Sequence, residues 1–167
     1  MKHCLVVYYS RSGLTARAAN AIADSCHADL EQIHYAAGPD YQPGNLRALW
    51  QALSGAQPAL LAPRRDPRDY AVTILGSPVW AYHMAGPMRS YIAARRGRFR
   101  RVAAFCTMAG DGGADVLAAM AALAGQNLVA SLALRDEQLG RDDYLAPTYT
   151  FGRVVSQMVD QLSDVPV

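Results

Sequence analysis

The sequence predicts a three-layer α/β fold, in which a parallel sheet of five strands carries helices on both faces. Five short apolar runs alternate with segments of helical periodicity. The runs are apolar at almost every position, as expected of strands that are buried on both faces. Because crossovers between parallel strands are right-handed, the alternation predicts a doubly wound sheet. The 167 residues suit one domain, 1–167, with a sizeable core.

The first elements are a strand, a helix and a strand. The Val-rich run His3–Tyr9 predicts the first strand. Residues 14–26 are rich in Ala and place apolar residues at helical spacing, which predicts a helix. A short second strand is predicted over Leu30–Tyr35. The Gly- and Pro-containing segment 36–44 predicts a loop.

A second helix is predicted to start at a cap residue, Asn45. Its large apolar residues recur at i, i+3, i+4 and i+7, the spacing of an amphipathic helix: Leu46, Leu49, Trp50 and Leu53. The Pro- and Arg-rich segment 57–69 is expected to return along the surface. The third strand is predicted over Tyr70–Leu75, and Gly76-Ser77-Pro78 ends it.

The second half of the chain continues the alternation. The predicted elements are a helix at about 86–95 with Pro87 in its first turn, a strand over Arg101–Thr107, a helix to about 124, a strand over Leu128–Leu134, a loop over 135–147 and a helix over 148–163. The last helix is predicted to turn six apolar residues inward: Phe151, Val154, Val155, Met158, Val159 and Leu162.

The composition narrows the classes of function. The net charge of +2 is far below the excess expected of a nucleic-acid-binding protein. No apolar run is long enough to span a membrane, and the N-terminal segment lacks a signal-peptide cleavage site, so we expect a cytoplasmic protein. The three scattered cysteines support neither a disulfide framework nor a metal site.

Five arginines are concentrated in one short segment of the chain: Arg95, Arg96, Arg98, Arg100 and Arg101. Cations suit the negative dipole end of a helix, so a solvated helix end accounts for them. A surface that docks an acidic partner or an anionic substrate is the alternative.

Ligands of doubly wound sheets bind beyond the carboxyl ends of the strands. A site is therefore expected at the loops that follow the first, third and fourth predicted strands. These are Ser10–Thr15, Gly76–Pro87 and Thr107–Gly113, called the first, second and third loops below. They are also the loops richest in Gly, hydroxyl and aromatic residues.

The first loop, SRSGLT, joins a strand to a helix. The first N–H groups of a helix lack intrahelical partners and carry partial positive charge. Hydroxyls of Ser10, Ser12 and Thr15 could bind a phosphate there, and Gly13 allows close approach of the backbone. A plain helix cap by Ser10 or Ser12 is the alternative.

Other phosphate-binding loops fit this segment poorly. The loop lacks the Lys of a P-loop, and its single Gly13 does not form the G-x-G-x-x-G dinucleotide motif. Cys4 and Arg11 are seven positions apart, one more than a cysteine phosphatase loop requires, and no acidic residues end the first strand as in a receiver domain.

The second and third loops predict a place for a flat ring. Trp80 and Tyr82 could form a platform for it, although Trp80 could instead close the core. His83 could bond a ring edge or move a proton, or be merely structural. The glycines of the third loop offer N–H groups to ring carbonyls; a turn capped by Asp111 is the alternative.

These motifs resemble the flavodoxin family. SRSGLT matches its phosphate loop pattern, [TS]-x-[TS]-G-x-T, and GSPVW with AGPMRSYI looks like its second flavin loop and the following helix. FCTMAGDGG is similar to the third loop, and NLRALWQALSGAQPAL looks like the segment before strand three in a short bacterial and archaeal subgroup. The resemblance covers essentially the whole chain and implies the strand order 2-1-3-4-5.

The resemblance implies a non-covalent FMN and no catalytic side chain or metal. The residues that it assigns to the cofactor are Ser10, Arg11, Ser12, Gly13, Leu14 and Thr15 for the phosphate, and Pro78, Val79, Trp80, Ala81, Tyr82, His83, Thr107, Met108, Ala109, Gly110, Asp111 and Gly112 for the ring. Met108 and Ala109 depart from the small polar or Gly residues that the subgroup often carries.

The implied function is electron transfer through FMN, with a redox protein or a small acceptor as partner. Many flavodoxins are strongly acidic, whereas this chain is net basic. Two alternatives remain at this stage: an NAD(P)H-dependent quinone-type reductase that uses FMN, and a flavodoxin-fold interaction protein without a cofactor.

Overall fold

The computed structural model describes residues 2–163 and confirms the predicted fold class. Its strands are β1 (Lys2–Tyr8), β2 (Asp29–Gln32), β3 (Tyr70–Trp80), β4 (His83–Met84), β5 (Val102–Met108) and β6 (Leu128–Arg135). Its helices are α1 (Leu14–Cys26), α2 (Asn45–Ser54), α3 (Gly86–Arg95), α4 (Gly113–Ala124), α5 (Asp136–Gly140) and α6 (Leu145–Ser163), with a 3-10 turn at Pro67–Asp69.

The main sheet is parallel throughout and has the order β2-β1-β3-β5-β6. This is the predicted order 2-1-3-4-5, because the added β4 is a two-residue antiparallel strand that pairs only with the end of β3. The chain is doubly wound about β1, and the carboxyl ends of β1, β3 and β5 lie side by side. That edge of the sheet carries the three predicted loops.

Side-chain alternation divides the core between the two faces of the sheet. Cys4, Val6 and Tyr8 face the layer formed by α1, α5 and α6. Leu5 and Val7 face the layer formed by α3 and α4. Both layers are therefore anchored on the same central strand, as the apolar sequence of β1 requires.

Several predicted boundaries are wrong at the ends of strands. β2 ends at Gln32, and Tyr35 makes only an isolated bridge to Leu60. β3 continues through Gly76-Ser77-Pro78 to Trp80 instead of ending at Leu75. The proline is tolerated because the pairing with β1 ends at Gly76, so no neighbour on that side needs its missing N–H.

The predicted loop 135–147 contains α5 and the first turn of α6. The carboxamide of Gln138 accepts the N–H of Arg135 at 2.8 Å and so satisfies the backbone at the start of α5. Pro147 fits the first turn of α6, where a helix has no use for the N–H. Of the six residues predicted to face inward, Val154 is exposed and the side chain of Leu162 lies outside the described residues.

The apolar stripe of α2 does not face the core. Its four large residues, Leu46, Leu49, Trp50 and Leu53, are exposed. The helix instead packs through the small side chains of Ala48 and Ala52 and through Gln51. Arg89 of α3 holds its C-terminal end by donating to the carbonyls of Gln51, Ala52 and Ala56. Gly44, not Asn45, occupies the cap position.

Within residues 2–163, no helix is both long enough and apolar enough to cross a bilayer.

Gly76 lies where the backbone of β3 crosses the ring of Phe105. A Cβ at this position would come within 2.2 Å of the Phe105 ring, which is itself fully buried. We expect Gly76→Ala to lower the free energy of unfolding by about 1–3 kcal/mol through overpacking. Urea unfolding followed by circular dichroism measures the change.

Gly140→Ala is the matched control, because a Cβ at the end of α5 meets open space. We expect this variant to unfold within about 1 kcal/mol of the wild type. Equal stability of Gly76→Ala and the wild type would contradict the packing seen at Phe105.

Candidate functional site

The three predicted loops meet at one edge of the sheet. Tyr8 is in register with Gly76, and Pro78 is in register with Thr107, so the ends of β1, β3 and β5 lie at nearly the same height. All eighteen residues predicted to bind a cofactor lie on or directly after these strand ends. The arrangement follows from parallel pairing, which places every carboxyl end at the same edge.

The first loop leaves the start of α1 open. The hydroxyl of Ser10 accepts the N–H of Gly13 at 3.1 Å, and Gly13 has a φ of +93° at the cap position. No side chain caps the helix, so the predicted alternative of a Ser cap at Ser10 or Ser12 is wrong. The N–H groups of Leu14, Thr15 and Ala16 have no acceptor among the described residues.

The charge at this helix end favours an anion. The first turn of α1 contains no acidic residue. Nothing in that turn therefore neutralises the partial positive charge of its free N–H groups. Arg11, which precedes the helix, is partly exposed, and Ser12 is exposed with a hydroxyl that has no partner in the described part of the chain.

A hydrogen bond between hydroxyls joins the first loop to the third. Thr15 Oγ1 lies 2.8 Å from Thr107 Oγ1, and both side chains are almost completely buried. Either oxygen can be the donor. A hydroxyl has one hydrogen, so whichever residue accepts in this pair keeps its own hydrogen for a further acceptor.

The second loop is largely a hairpin, not the open loop that was predicted. Trp80 pairs with His83, and Val79 pairs with Met84. The two turn residues, Ala81 and Tyr82, have φ values of +47° and +67°. Positive φ at both central residues is the geometry of a tight hairpin turn that normally uses Asn and Gly.

Non-glycine residues in this conformation store strain of about 1–3 kcal/mol each. The surroundings must therefore hold the hairpin in place. Ser77 does so at its base, where the buried hydroxyl accepts the N–H of Ala85 at 3.0 Å and donates to the carbonyl of Pro78 at 2.9 Å. Such strain is concentrated at functional sites in proteins.

Trp80 is fixed by an aromatic cluster. Its ring meets Tyr9 edge to face, with centroids 5.8 Å apart, and Tyr9 meets Tyr35 in the same way at 5.9 Å. Tyr41 extends the cluster from Tyr35. Burial raises the pKa of Tyr9, so its phenol stays protonated at neutral pH. Trp80 is thus held rigidly while part of it remains exposed.

Tyr82 projects from the tip of the hairpin and is 60% exposed. His83 is also exposed, and its backbone pairs with Trp80. The structure gives the His83 side chain no hydrogen-bond partner within residues 2–163, so its predicted contact with a ring edge stays a prediction. An exposed large aromatic beside a rigid one provides apolar surface for a flat ligand.

The third loop packs directly against the hairpin tip. A Cβ on Gly112 would lie 2.9 Å from the backbone Cα of Tyr82, and Gly112 has a φ of +98°. Gly112 also occupies the cap position of α4. The alternative for this loop required Asp111 to cap the helix, and this is wrong. Asp111 instead pairs with Arg135 at 3.0 Å.

Arg135, at the end of β6, holds the exposed part of the third loop. It donates to the carbonyl of Gly110 and to the carboxylate of Asp111, each at 3.0 Å. Met108 is partly buried, and its sulfur lies 3.0 Å from the position that a Cβ on Gly113 would take. Ala109 and Gly110 are exposed at the tip.

Sequence reasoning missed three residues that shape the site: Tyr9, Ser77 and Arg135. Tyr9 and Ser77 directly adjoin predicted site residues, so their proximity in the chain could have drawn attention to them. Arg135 contacts Gly110 of the third loop from a position 25 residues later in the chain, and no local sequence pattern predicts that contact.

The site contains no metal cluster or activated thiol. Among the described residues, no group of three or more His, Cys, Asp and Glu is arranged to hold a metal ion. Burial raises the pKa of Cys106, the residue before Thr107, to about 12, so its thiol stays protonated at neutral pH. The site is equipped to bind and orient a ligand.

Three solved structures show how widely this fold is shared. A flavoprotein from Lactobacillus acidophilus NCFM, crystallised in complex with FMN, is 24% identical over 84% of this chain and 98% of its own, with a TM-score of 0.67. A flavodoxin, WrbA-like protein from Agrobacterium tumefaciens is 17% identical over 96% of this chain and 99% of its own, with a TM-score of 0.60.

Rubredoxin oxygen:oxidoreductase from Desulfovibrio gigas is 14% identical, with a TM-score of 0.66; the match covers 99% of this chain but 38% of that enzyme. These identities establish the fold alone. Comparison with curated proteins finds no matching relative.

The family model described as Flavodoxin matches residues 3–129, a span that contains all three loops and four of the five strands of the parallel sheet. The match also begins at the first strand and includes every residue assigned above to a cofactor. The chain therefore belongs to the flavodoxin family.

Proposed function

We propose that this protein binds FMN at the three loops and transfers electrons through it. The observation that carries the proposal is the open start of α1, next to a rigid hairpin with exposed aromatic surface. The first N–H groups of α1 and the Ser12 hydroxyl have no partner within residues 2–163, and the first turn contains no acid. Membership of the flavodoxin family supports it, as does the FMN complex of the structurally similar L. acidophilus protein.

The first loop fits a phosphate monoester. The N–H groups of Leu14, Thr15 and Ala16 supply up to three donors, and the hydroxyl of Ser12 supplies a fourth. A Cβ at Gly13 would meet nothing within 4 Å, so the space above the loop is free for a ligand. Oxygens with a double negative charge suit this donor set without a lysine or a metal.

The hairpin and the third loop fit a flat ring. Trp80 and Tyr82 offer aromatic surface, and the N–H groups of the third loop lie next to Tyr82 through the contact at Gly112. The hydrogen bond between Thr15 and Thr107 fixes the distance between the phosphate end and the ring end. The protein thus binds and orients both parts of one molecule.

FMN, when bound, supplies the electron chemistry. The residues of this chain hold the phosphate and position the ring. The proposed partner is a redox protein or a small-molecule electron acceptor, and the proposed location is the cytoplasm. The net charge of +2 distinguishes this chain from acidic flavodoxins. The docking surface of its redox partner is therefore expected to be less basic than the docking surfaces of the partners of acidic flavodoxins.

Ser12→Ala tests the phosphate site. Loss of a hydrogen bond to a charged group costs about 1.5–3 kcal/mol. We therefore expect the dissociation constant of FMN to rise at least about tenfold, while that of riboflavin, which lacks the phosphate, changes little. Fluorescence titration of the apoprotein measures both constants.

Ser54→Ala, at the exposed end of α2, is the control and should leave both constants unchanged. If Ser12→Ala weakened FMN and riboflavin equally, the phosphate would not lie at the first loop. Failure of the wild type to bind FMN at all would overturn the proposed function.

Gly112→Ala tests the contact between the third loop and the hairpin. The added Cβ would collide with Tyr82, and the positive φ would add backbone strain. We expect the variant to lose about 1–3 kcal/mol of stability and to bind both FMN and riboflavin more weakly, because the ring end is displaced. Thermal unfolding and flavin titration measure the two effects.

Gly110→Ala is the matched control from the same loop, since a Cβ there meets open space and its φ is not positive. Its stability should stay within about 0.5 kcal/mol of the wild type. Equal effects of the two substitutions would show that the contact with Tyr82 does not position the ring.

Steady-state assays separate an electron carrier from an enzyme. We expect the FMN-loaded protein to be reduced by dithionite and reoxidised by a quinone, but not to turn over with NADPH and the quinone. Sustained turnover with NADPH would instead identify a quinone-type reductase. A protein that takes up no FMN would favour an interaction protein of the same fold.

A further inference from the structure

A cavity separate from the three loops lies between α3 and the segment 57–63. Its volume is about 430 Å³. Apolar residues line one part of its wall, among them Pro58, Leu60, Leu61 and Ala94. The polar residues of the wall are Gln57, Ser90, Tyr91 and Arg95. This volume is within the range of small-molecule sites, about 300–1,000 Å³.

The outer wall of the cavity is held in place on both sides. Ser90 of α3 donates to the carbonyl of Pro58 at 2.7 Å. On the other side, the N–H of Leu61 donates to the carbonyl of His34 at 3.0 Å, and the N–H of Ala36 donates to the carbonyl of Ala59 at 2.9 Å. The cavity is therefore a built feature of the fold.

Arg95 lacks the acidic partner that its neighbours have. Arg65 pairs with Asp29, while Arg68 and Arg98 both pair with Asp66. Arg95 forms no ion pair with any described residue, and its buried Nε has no acceptor among them. Its guanidinium lies 5.7 Å above the ring of Tyr91, which places the cation at the Tyr91 end of the cavity.

Tyr91 contributes a buried hydroxyl that also lacks an acceptor. The side chain is 1% exposed, and its oxygen has no hydrogen-bond partner in the described residues. Burial raises the pKa of this phenol, so it remains a donor at neutral pH, and the charge of Arg95 is near enough to oppose that rise. Buried donors in native proteins normally have an acceptor.

We propose that this cavity binds a small apolar molecule that carries one carboxylate. The carboxylate would pair with Arg95, and the apolar body would lie along Leu60, Leu61 and Ala94. A single cation matches a single negative charge, whereas a phosphate dianion would leave one charge unpaired in apolar surroundings. This site is independent of the proposed flavin site.

The test is a nuclear magnetic resonance titration of the ¹⁵N-labelled full chain at pH 7. The probe is 4-phenylbutyrate, and 4-phenylbutan-1-ol is the uncharged comparison of nearly equal shape. We expect saturable shifts of amide signals in residues 57–63 and 90–95, and at least tenfold weaker binding of the alcohol. Arg95→Gln should abolish the preference for the carboxylate.

Arg96→Gln is the matched control, because the neighbouring arginine is exposed and does not line the cavity. It should leave the preference unchanged. Tyr91→Phe should fold normally and leave the preference unchanged, since the hydroxyl has no partner among residues 2–163 and no surface in the cavity.

Three results would overturn the proposal. The first is an absence of saturable shifts in residues 57–63 and 90–95 up to the solubility limit of the probe. The second is equal binding of the acid and the alcohol, and the third is an equal loss of preference in Arg95→Gln and Arg96→Gln.

Discussion

The hydrogen bond between Thr15 and Thr107 joins two residues that are 92 positions apart, and the candidate site depends on it. It exists because β3 lies between β1 and β5, so the carboxyl end of β5 comes close to the first turn of α1, which follows β1. A buried hydroxyl pair of this kind resists separation, since breaking it would leave two unsatisfied polar groups. The first loop and the third loop are thereby held at one distance.

The hairpin after β3 adds a second constraint. Ala81 and Tyr82 occupy a turn whose backbone favours Asn and Gly, so the turn holds its shape through its neighbours. Ser77 closes its base, Gly112 packs beneath its tip, and Tyr9 fixes Trp80 from the side. Strain that is held by the surroundings keeps exposed aromatic surface in one position, which lowers the entropic cost of binding a flat ligand.

The sequence predicted the order of elements and the common edge of the three loops, because buried apolar strands and helical periodicity are local patterns. The strand order was implied by the resemblance to the flavodoxin family. The predictions were wrong where tertiary contacts determine the end of a strand or the buried face of a helix. Pro78 was predicted to end the third strand, but the strand continues because β1 has already ended there and does not need the missing N–H. The large apolar residues of α2 were predicted to form a typical amphipathic face, but Ala48 and Ala52 make the contacts of this helix. The link from Arg135 to Gly110 and Asp111 has no local signature at all.

The central claim is that the open start of α1 holds the phosphate of FMN as a dianion. The ³¹P resonance of bound FMN, followed from pH 5 to pH 8, tests it most directly. Free N–H groups and partial positive charge favour the dianion, so the phosphate pKa, about 6 when free, should fall by at least about one unit on binding. The predicted result is a chemical shift that is nearly constant above about pH 6, where free FMN still titrates, and a titration that matches free FMN would contradict the account.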